Sequence, residues 1–324
     1  MLASGVHRET IQGVTINTVD RAALSRTPGK LDHYRRETYY REALRDVERV
    51  LGDRATEVLH ATALLMVKPD GIAAGKVEAV LDFLADRGFA VVVARRPGFT
   101  PLLWREMWRY QLTSATIDRL ALNDSVYVGA GLLLLLRDER PDTLPATLRL
   151  ASLKGSADLA KQRPGTLRDL LRQHNRNFSY IHVADEPADL VRELGLLLDT
   201  AQRRGALRAL AAGAGPTDEE AAELSRLVTA ERAAGTHRSF APDEAGTAVA
   251  AALRRAEGGE HAMKLLEQLR AGAPVGWVEV VEAVRACGAE VHHWDLAALG
   301  AGLIVCDEPG ERKVITNPAP GSWR

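Results

Sequence analysis

The chain has 324 residues, 46% of them hydrophobic and 26% charged, with a formal net charge of −1. That length suits two domains with a sizeable core, and the balanced charge argues against a nucleic-acid or acidic-membrane partner for the chain as a whole. Two cysteines, Cys287 and Cys306, give neither a disulfide framework nor metal-ligand spacing and are expected as buried thiols in a reducing compartment.

The first residues, MLASGVHRETIQG, lack a basic region followed by an apolar run. No apolar stretch approaches the roughly 20 residues of a membrane helix, so a soluble, cytoplasmic protein without a membrane partner is expected. Residues 1–30 are polar and irregular, with one strand expected within 10–19. Residues 32–60 carry Leu44, Val47, Val50 and Leu51 at helical spacing among alternating charges, which predicts one or two amphipathic helices. Tyr34, Tyr39 and Tyr40 are expected to pack on the neighbouring domain rather than serve a nucleobase or partner.

TALLMV (62–67) reads as a buried strand closed by the turn KPDG (68–71). A helix from about Lys76 to Arg87 stops at Gly88, and the β-branched run at 89–96 is the second strand. Helical patterns with Trp104, Trp108 and Tyr110 follow. The third strand is expected at 132–136, a helix and loop over 141–155, the fourth strand at 177–181, and another helix from about Pro187, capped by Asp185. This order predicts one α/β sandwich with a four-stranded sheet and helices on one face.

Beyond residue 200 the composition shifts to Ala and Gly, and Thr217 followed by Glu220 forms a capping-box signature. Residues 217–270 are helical by pattern. A helix at 277–287 and strands at 290–293 and 303–306 are expected after them. The division is therefore a mainly helical extension (1–60), an α/β domain (61–200), and a mainly helical region with a small α/β end (201–324). His292 and His293 beside Asp295 are not expected to share a metal, because adjacent residues on a strand face opposite ways.

Three segments carry chemistry: KPDG, PGTLR at 164–168, and the spacing from His182 through Asp185 to Glu193. Neutral imidazole, with an unperturbed pKa of about 6.5, is a competent nucleophile near neutrality. A carboxylate on one ring nitrogen fixes the tautomer and leaves the other lone pair free. No Walker-type glycine loop is present.

Taken in order, LLMVKPDGIAAGKVEAVLDFLADRGFAVV, PGTLR and the His182–Glu193 spacing resemble a nucleoside diphosphate kinase over roughly residues 62–198. The resemblance implies a ferredoxin-like α+β sandwich with a four-stranded antiparallel sheet. It also implies transfer of the terminal phosphate of ATP or GTP, with Mg²⁺, through a phosphohistidine to a nucleoside diphosphate. His182 would be the nucleophile, Glu193 the carboxylate on its other nitrogen, and Lys68 the catalytic lysine on the transferred phosphate. Arg168 would hold the phosphates and Tyr110 would stand beside the histidine. Arg149 and Asn177 complete the candidate nucleotide contacts.

Several positions depart from the family pattern. Val183 and Ala184 replace a glycine and a serine, Ser179 stands for an asparagine, and the pair Arg176–Asn177 lies two residues too far upstream. Ala157 replaces a threonine beside Ser156, Ala151 replaces an arginine with Arg149 and Lys154 nearby, and Leu159 replaces an oligomer-building proline. Altered nucleotide contacts are expected, with a homo-oligomer that is a dimer rather than a hexamer. Two other readings stand beside the kinase: a nucleotide-binding module that acts through a protein partner, and a different ATP-dependent transferase with its acceptor site in the C-terminal region.

Overall fold

The computed structural model describes residues 8–11, 14–17, 19–140, 143–234, 237–318 and 321–323. In place of the one strand expected within 10–19, an antiparallel hairpin pairs Arg8–Ile11 with Val14–Asn17; residues 12, 13 and 18 lie outside the described chain. The amphipathic stretch after it forms helix α1 (Thr38–Leu51) and a short helix Ala55–Ala61.

Four strands build the central sheet: β1 (Thr62–Val67), β2 (Phe89–Arg95), β3 (Leu132–Asp138) and β4 (Ile181–Val183). Their order across the sheet is β2-β3-β1-β4 and every neighbouring pair is antiparallel, which is the ferredoxin-like arrangement. The two connecting helices, α2 (Val77–Asp86) and α5 (Ala146–Lys154), bury Val80, Leu84 and Leu150 against one face, with Leu65, Leu134 and Leu136. Helices α3 (Pro101–Met107) and α4 (Ile117–Val126) lie between β2 and β3, and the short α6 (Leu167–Leu171) precedes β4.

The expectation that helices cover one face is corrected by the second core. Leu64, Val93, Leu133 and Leu135 point the other way and are buried against Val47 of α1, Val191 of α7 (Pro187–Leu197) and Leu207 of α8 (Thr200–Ala212). Side chains alternate along a strand, and an unbroken apolar run such as LLLLL in β3 signals burial on both faces. The three tyrosines join this packing: Tyr34 and Tyr40 are buried, and Tyr39 donates to Glu106 at 2.8 Å.

Strand β4 is shorter and later than expected. Residues 177–180 stay out of the sheet because the Asn175 side chain accepts the N–H groups of Asn177 and Phe178, at 2.9 and 3.0 Å. Tyr180 then takes a left-handed backbone (φ 59°), a conformation uncommon for a bulky residue and worth about 1–3 kcal/mol of strain. It is held there by Asp70, which accepts its N–H at 3.1 Å, and by Lys68, whose N–H donates to its carbonyl at 2.8 Å. His182 therefore lies inside the strand, opposite Met66, rather than at a strand-to-helix junction.

The rest of the chain is helical: α9 (Asp218–Ala234), α10 (Pro242–Arg255), α11 (Gly259–Arg270), α12 (Trp277–Ala286) and α13 (His293–Leu303). The capping box is present, with Thr217 and Glu220 exchanging backbone-to-side-chain bonds at 2.8 and 3.3 Å. The strands expected at 290–293 and 303–306, and so the small α/β end, are not formed. Burial of Trp294, Ala297 and Ala298 selects a helix from His293, and residues 305–307 meet 114–116 through scattered backbone and side-chain hydrogen bonds and one bridge, Ala115 to Asp307. This region shares the first core of the sheet: Phe178 stacks on Phe240 at 4.5 Å, and Trp294 closes edge-on against Phe240 at 5.3 Å. Both cysteines are free and half-buried.

Candidate active site

Strand β4 carries His182 and helix α7, four residues later, carries Glu193. The ring nitrogen Nε2 lies 2.7 Å from Glu193 Oε1. The other nitrogen, Nδ1, accepts the indole N–H of Trp108 at 3.3 Å. An indole can only donate, so Nδ1 is the unprotonated nitrogen and Nε2–H donates to the carboxylate. The imidazole is thereby held as the neutral tautomer whose nucleophilic lone pair is on Nδ1. Glu193 is buried and its second oxygen has no partner among the described residues, so its side-chain hydrogen bonding there is to His182 alone.

Lys68 directly follows β1, next to β4, and is fully buried; its ammonium contacts Ser179 Oγ at 3.1 Å, Tyr127 Oη at 3.4 Å and Asp70 at 3.5 Å. Burial holds the Asp70 carboxyl above its usual range, against the pull of Lys68. Gly71 is required at this turn, because a Cβ there would come within 2.6 Å of the Tyr180 carbonyl oxygen. Arg168, from α6, is also buried. It donates to the carbonyls of Gly155 at 3.0 Å and Ile181 at 3.4 Å, and its Nε has no partner among the described residues. Desolvation pushes this guanidinium down to about 10, with Asp185, Tyr127 and Asp70 pulling it back. Among the described residues no carboxylate lies within hydrogen-bond distance of this guanidinium.

Arg168 opens onto a cleft of about 1410 Å³ between α5, the loop 155–163 and residues 313–318 and 321–323. Lys154 and Asp185 meet across it at 2.9 Å. Burial opposes ionisation of Asp185, but Lys154, then Lys30 and His182, outweigh it and keep its carboxyl below the usual range. Asp185 is thus an ion-pair partner, and the cap of α7 expected of it falls to Glu186, whose N–H is accepted by Asp189 at 2.9 Å.

The structure brings His182 and Glu193 into contact, with Lys68 and Arg168 on the flanking segments. It does not bring three other candidates to them. Tyr110 follows the turn that ends α3 and packs against His33 and Tyr34 of the N-terminal extension, at 5.1 and 5.8 Å. Burial, then a hydrogen bond to Glu37, raises its hydroxyl well above the usual range. The ring beside the histidine is Trp108, two residues earlier, which packs at a tilt against Tyr127 with ring centroids 4.8 Å apart. Arg149 lies on α5 away from the cleft-lining Leu148, Ala151 and Ser152; successive helix residues are about 100° apart, and Arg149 grips Asp138 and the Arg87 carbonyl instead. Asn177 turns its amide to Cys306 Sγ at 3.4 Å. Trp108 and Tyr127 were the residues missed. A cue existed for the first, since the helix pattern from Pro101 ends at Met107 and presents Trp108 at its end.

His292 and His293 are the cap and first residue of α13, with rings stacked at 4.7 Å, so the opposite-face argument does not apply to them. Asp295 is already bound to Arg238 at 2.6 Å. No group of three metal-ligating side chains occurs among the described residues, and no helix there is long and apolar enough to cross a membrane.

The family model for nucleoside diphosphate kinase matches residues 61–203. A curated nucleoside diphosphate kinase from Natronomonas pharaonis is 29% identical over 137 residues, covering 42% of this chain and 84% of the relative. Among solved structures, a nucleoside diphosphate kinase from Halobacterium salinarum in complex with CDP aligns with 21% identity and a TM-score of 0.36, over 44% of this chain and 89% of that one. The Aquifex aeolicus enzyme aligns with 20% identity and the same TM-score, over 44% and 96%. Residues 61–203 thus constitute a nucleoside diphosphate kinase-like domain, set between an N-terminal extension and a helical C-terminal region.

Proposed function

We propose that this domain is a phosphotransferase that moves the terminal phosphate of ATP or GTP, delivered as the Mg²⁺ complex, through His182 to a nucleoside diphosphate or related acceptor. The observation that carries the reading is the pair of contacts on the imidazole: Nε2–H on Glu193 at 2.7 Å, with the lone pair left on Nδ1. In the first half-reaction Nδ1 attacks the γ-phosphorus in line. The N–P bond forms as the bond to the β,γ-bridging oxygen breaks, and that oxygen leaves with the nucleoside diphosphate. The ring becomes cationic, and Glu193 stabilises it through the Nε2–H it already accepts. Lys68 and Arg168 would neutralise the phosphate oxygens. In the second half-reaction an acceptor phosphate oxygen attacks the phosphohistidine and restores the neutral ring.

The nucleotide-binding module stays as the second reading, favoured by one observation: the lone pair on Nδ1 faces the Trp108 N–H, which must withdraw before a phosphorus can approach. Incubation with γ-labelled ATP and Mg²⁺, beside His182→Ala, and a chase with nucleoside diphosphates separates the two. Acid-labile, base-stable label that needs His182 and chases onto diphosphates is the expected result. Absence of label, with nucleotide binding still measurable, overturns the phosphohistidine and leaves the module. A dimer is proposed for the assembly and is checked by light scattering.

A further inference from the structure

One wall of the cleft comes from outside the kinase-like domain. Residues 305–314 run back along residues 110–116. The Glu308 N–H donates to the Ser114 carbonyl at 2.7 Å, the Arg312 carbonyl accepts from Thr113 at 3.1 Å, and the Val314 N–H donates to the Tyr110 carbonyl at 3.0 Å. Ile315 is then buried in the second core, and the Trp323 indole donates to the buried Glu186 at 2.8 Å. Lys313 is fixed between these anchors, facing the cleft.

The charges around it do not balance. Asp307 is the carboxylate for Arg119 at 2.6 Å and Arg176 at 2.7 Å, and Lys313 has no hydrogen-bond or ion-pair partner among the described residues. Arg168, across the cleft, donates only to carbonyls among the described residues. The concave wall strips part of the hydration from the Lys313 ammonium and Arg176 and Arg119 repel it, so its pKa is lowered despite Asp307 and Asp185. Cations held close together without enough carboxylates, on pinned backbone, form a site that an anion completes.

We propose that Lys313, with Arg176, is an anion subsite of the cleft that binds a phosphate group of the ligand, so that residues 305–318 complete the phosphate site of the kinase-like domain. The proposal rests on the reading of the cleft as that domain's phosphate site and names a further part of it. The phosphate comes either from the polyphosphate of the donor nucleotide or from a second phosphate on the acceptor.

The test is titration of the full chain with adenosine, ADP, ATP and inorganic tripolyphosphate, comparing wild type with Lys313→Ala and Arg168→Gln. Lys313 is solvent-exposed, so its substitution leaves the fold intact, which circular dichroism checks. If the donor occupies the subsite, Lys313→Ala weakens ATP and tripolyphosphate by about tenfold, weakens ADP less, leaves adenosine unchanged, and flattens the salt dependence. If the acceptor occupies it, ATP binding holds in Lys313→Ala while the KM for a phosphorylated acceptor rises by a similar factor. Wild-type behaviour of Lys313→Ala in both measurements overturns the subsite. If Arg168→Gln still loses ATP in that case, the reading of the cleft stands; if Arg168→Gln also binds as wild type, that reading falls too.

Discussion

At His182 two neighbours with fixed hydrogen-bond roles decide which nitrogen can react. Glu193 and Trp108 act on opposite sides of one ring, the first preparing it and the second covering it. Glu193→Gln keeps the shape but removes the charge that stabilises the ring cation, and is expected to slow labelling of His182 on the order of 10²-fold with nucleotide binding unchanged. Rapid-quench labelling checks it. Trp108→Phe keeps the aromatic contact and removes the N–H. It is expected to raise the labelling rate several-fold and to move the Nδ1 resonance in ¹⁵N spectra; an unmoved resonance would mean the indole does not engage that nitrogen. Of the candidate residues, His182 and Glu193 were legible as a contact pair because both sit in one short stretch whose register the backbone preserves. Tyr110 was misplaced because residues 108–111 form a turn, and a two-residue error there swings a side chain from the histidine to the N-terminal extension.

At the scale of elements, the start of α7 is held by a buried ionic cluster. Lys30 reaches Glu186 at 2.8 Å and Asp189 at 2.7 Å, and Glu186 also accepts from Ser25, the Arg26 N–H and Trp323. Burial works against ionisation of Glu186, but Lys30 outweighs it and keeps the carboxyl below its usual range. The stability this contributes is complete above the unfolded carboxyl pKa of about 4.3 and is lost as pH falls through the lower folded value. Lys30→Met leaves two buried carboxylates without their cation and is expected to cost about 3–5 kcal/mol at neutral pH. Because the uncompensated Glu186 would then protonate readily, the gap in melting temperature between variant and wild type should narrow from pH 7 to pH 4. A constant gap across that range would exclude Glu186 as the group responsible. In the KPDG turn, Gly71→Ala drives a methyl into the Tyr180 carbonyl and is expected to cost about 1–3 kcal/mol and to displace β4, measurable by denaturant unfolding and by loss of His182 labelling.

Across the whole molecule, the C-terminal helices fold onto the kinase-like domain. Glu231 of α9 accepts the first N–H of α2 at 2.8 Å, and Asp118 of α4 accepts that of Trp277 at 2.8 Å. With Phe240 fully buried between Phe178 and Trp294, Phe240→Ala is expected to cost about 3–5 kcal/mol. Urea unfolding of the wild type should give one transition by both fluorescence and circular dichroism, moved to lower urea in the variant; two separate transitions would show that the shared core does not couple the regions.

The sequence by itself determined the succession of the four strands along the chain, the helices that follow its hydrophobic periodicity, the Thr217–Glu220 cap and the spacing that pairs His182 with Glu193. Each of these depends on residues close in the chain or on periodic burial, which local pattern records. Only the tertiary structure decided that the sheet is covered on both faces, that Arg149 serves Asp138, that residues 293–303 are helix, and that Lys313 joins a cleft built by residues 144–185. Those outcomes depend on partners a hundred or more residues away or on which side of a helix faces them. A contact between Lys313 and this cleft leaves no period or spacing in the chain; it exists because residues 305–314 find open backbone groups along 110–116 and bond to them.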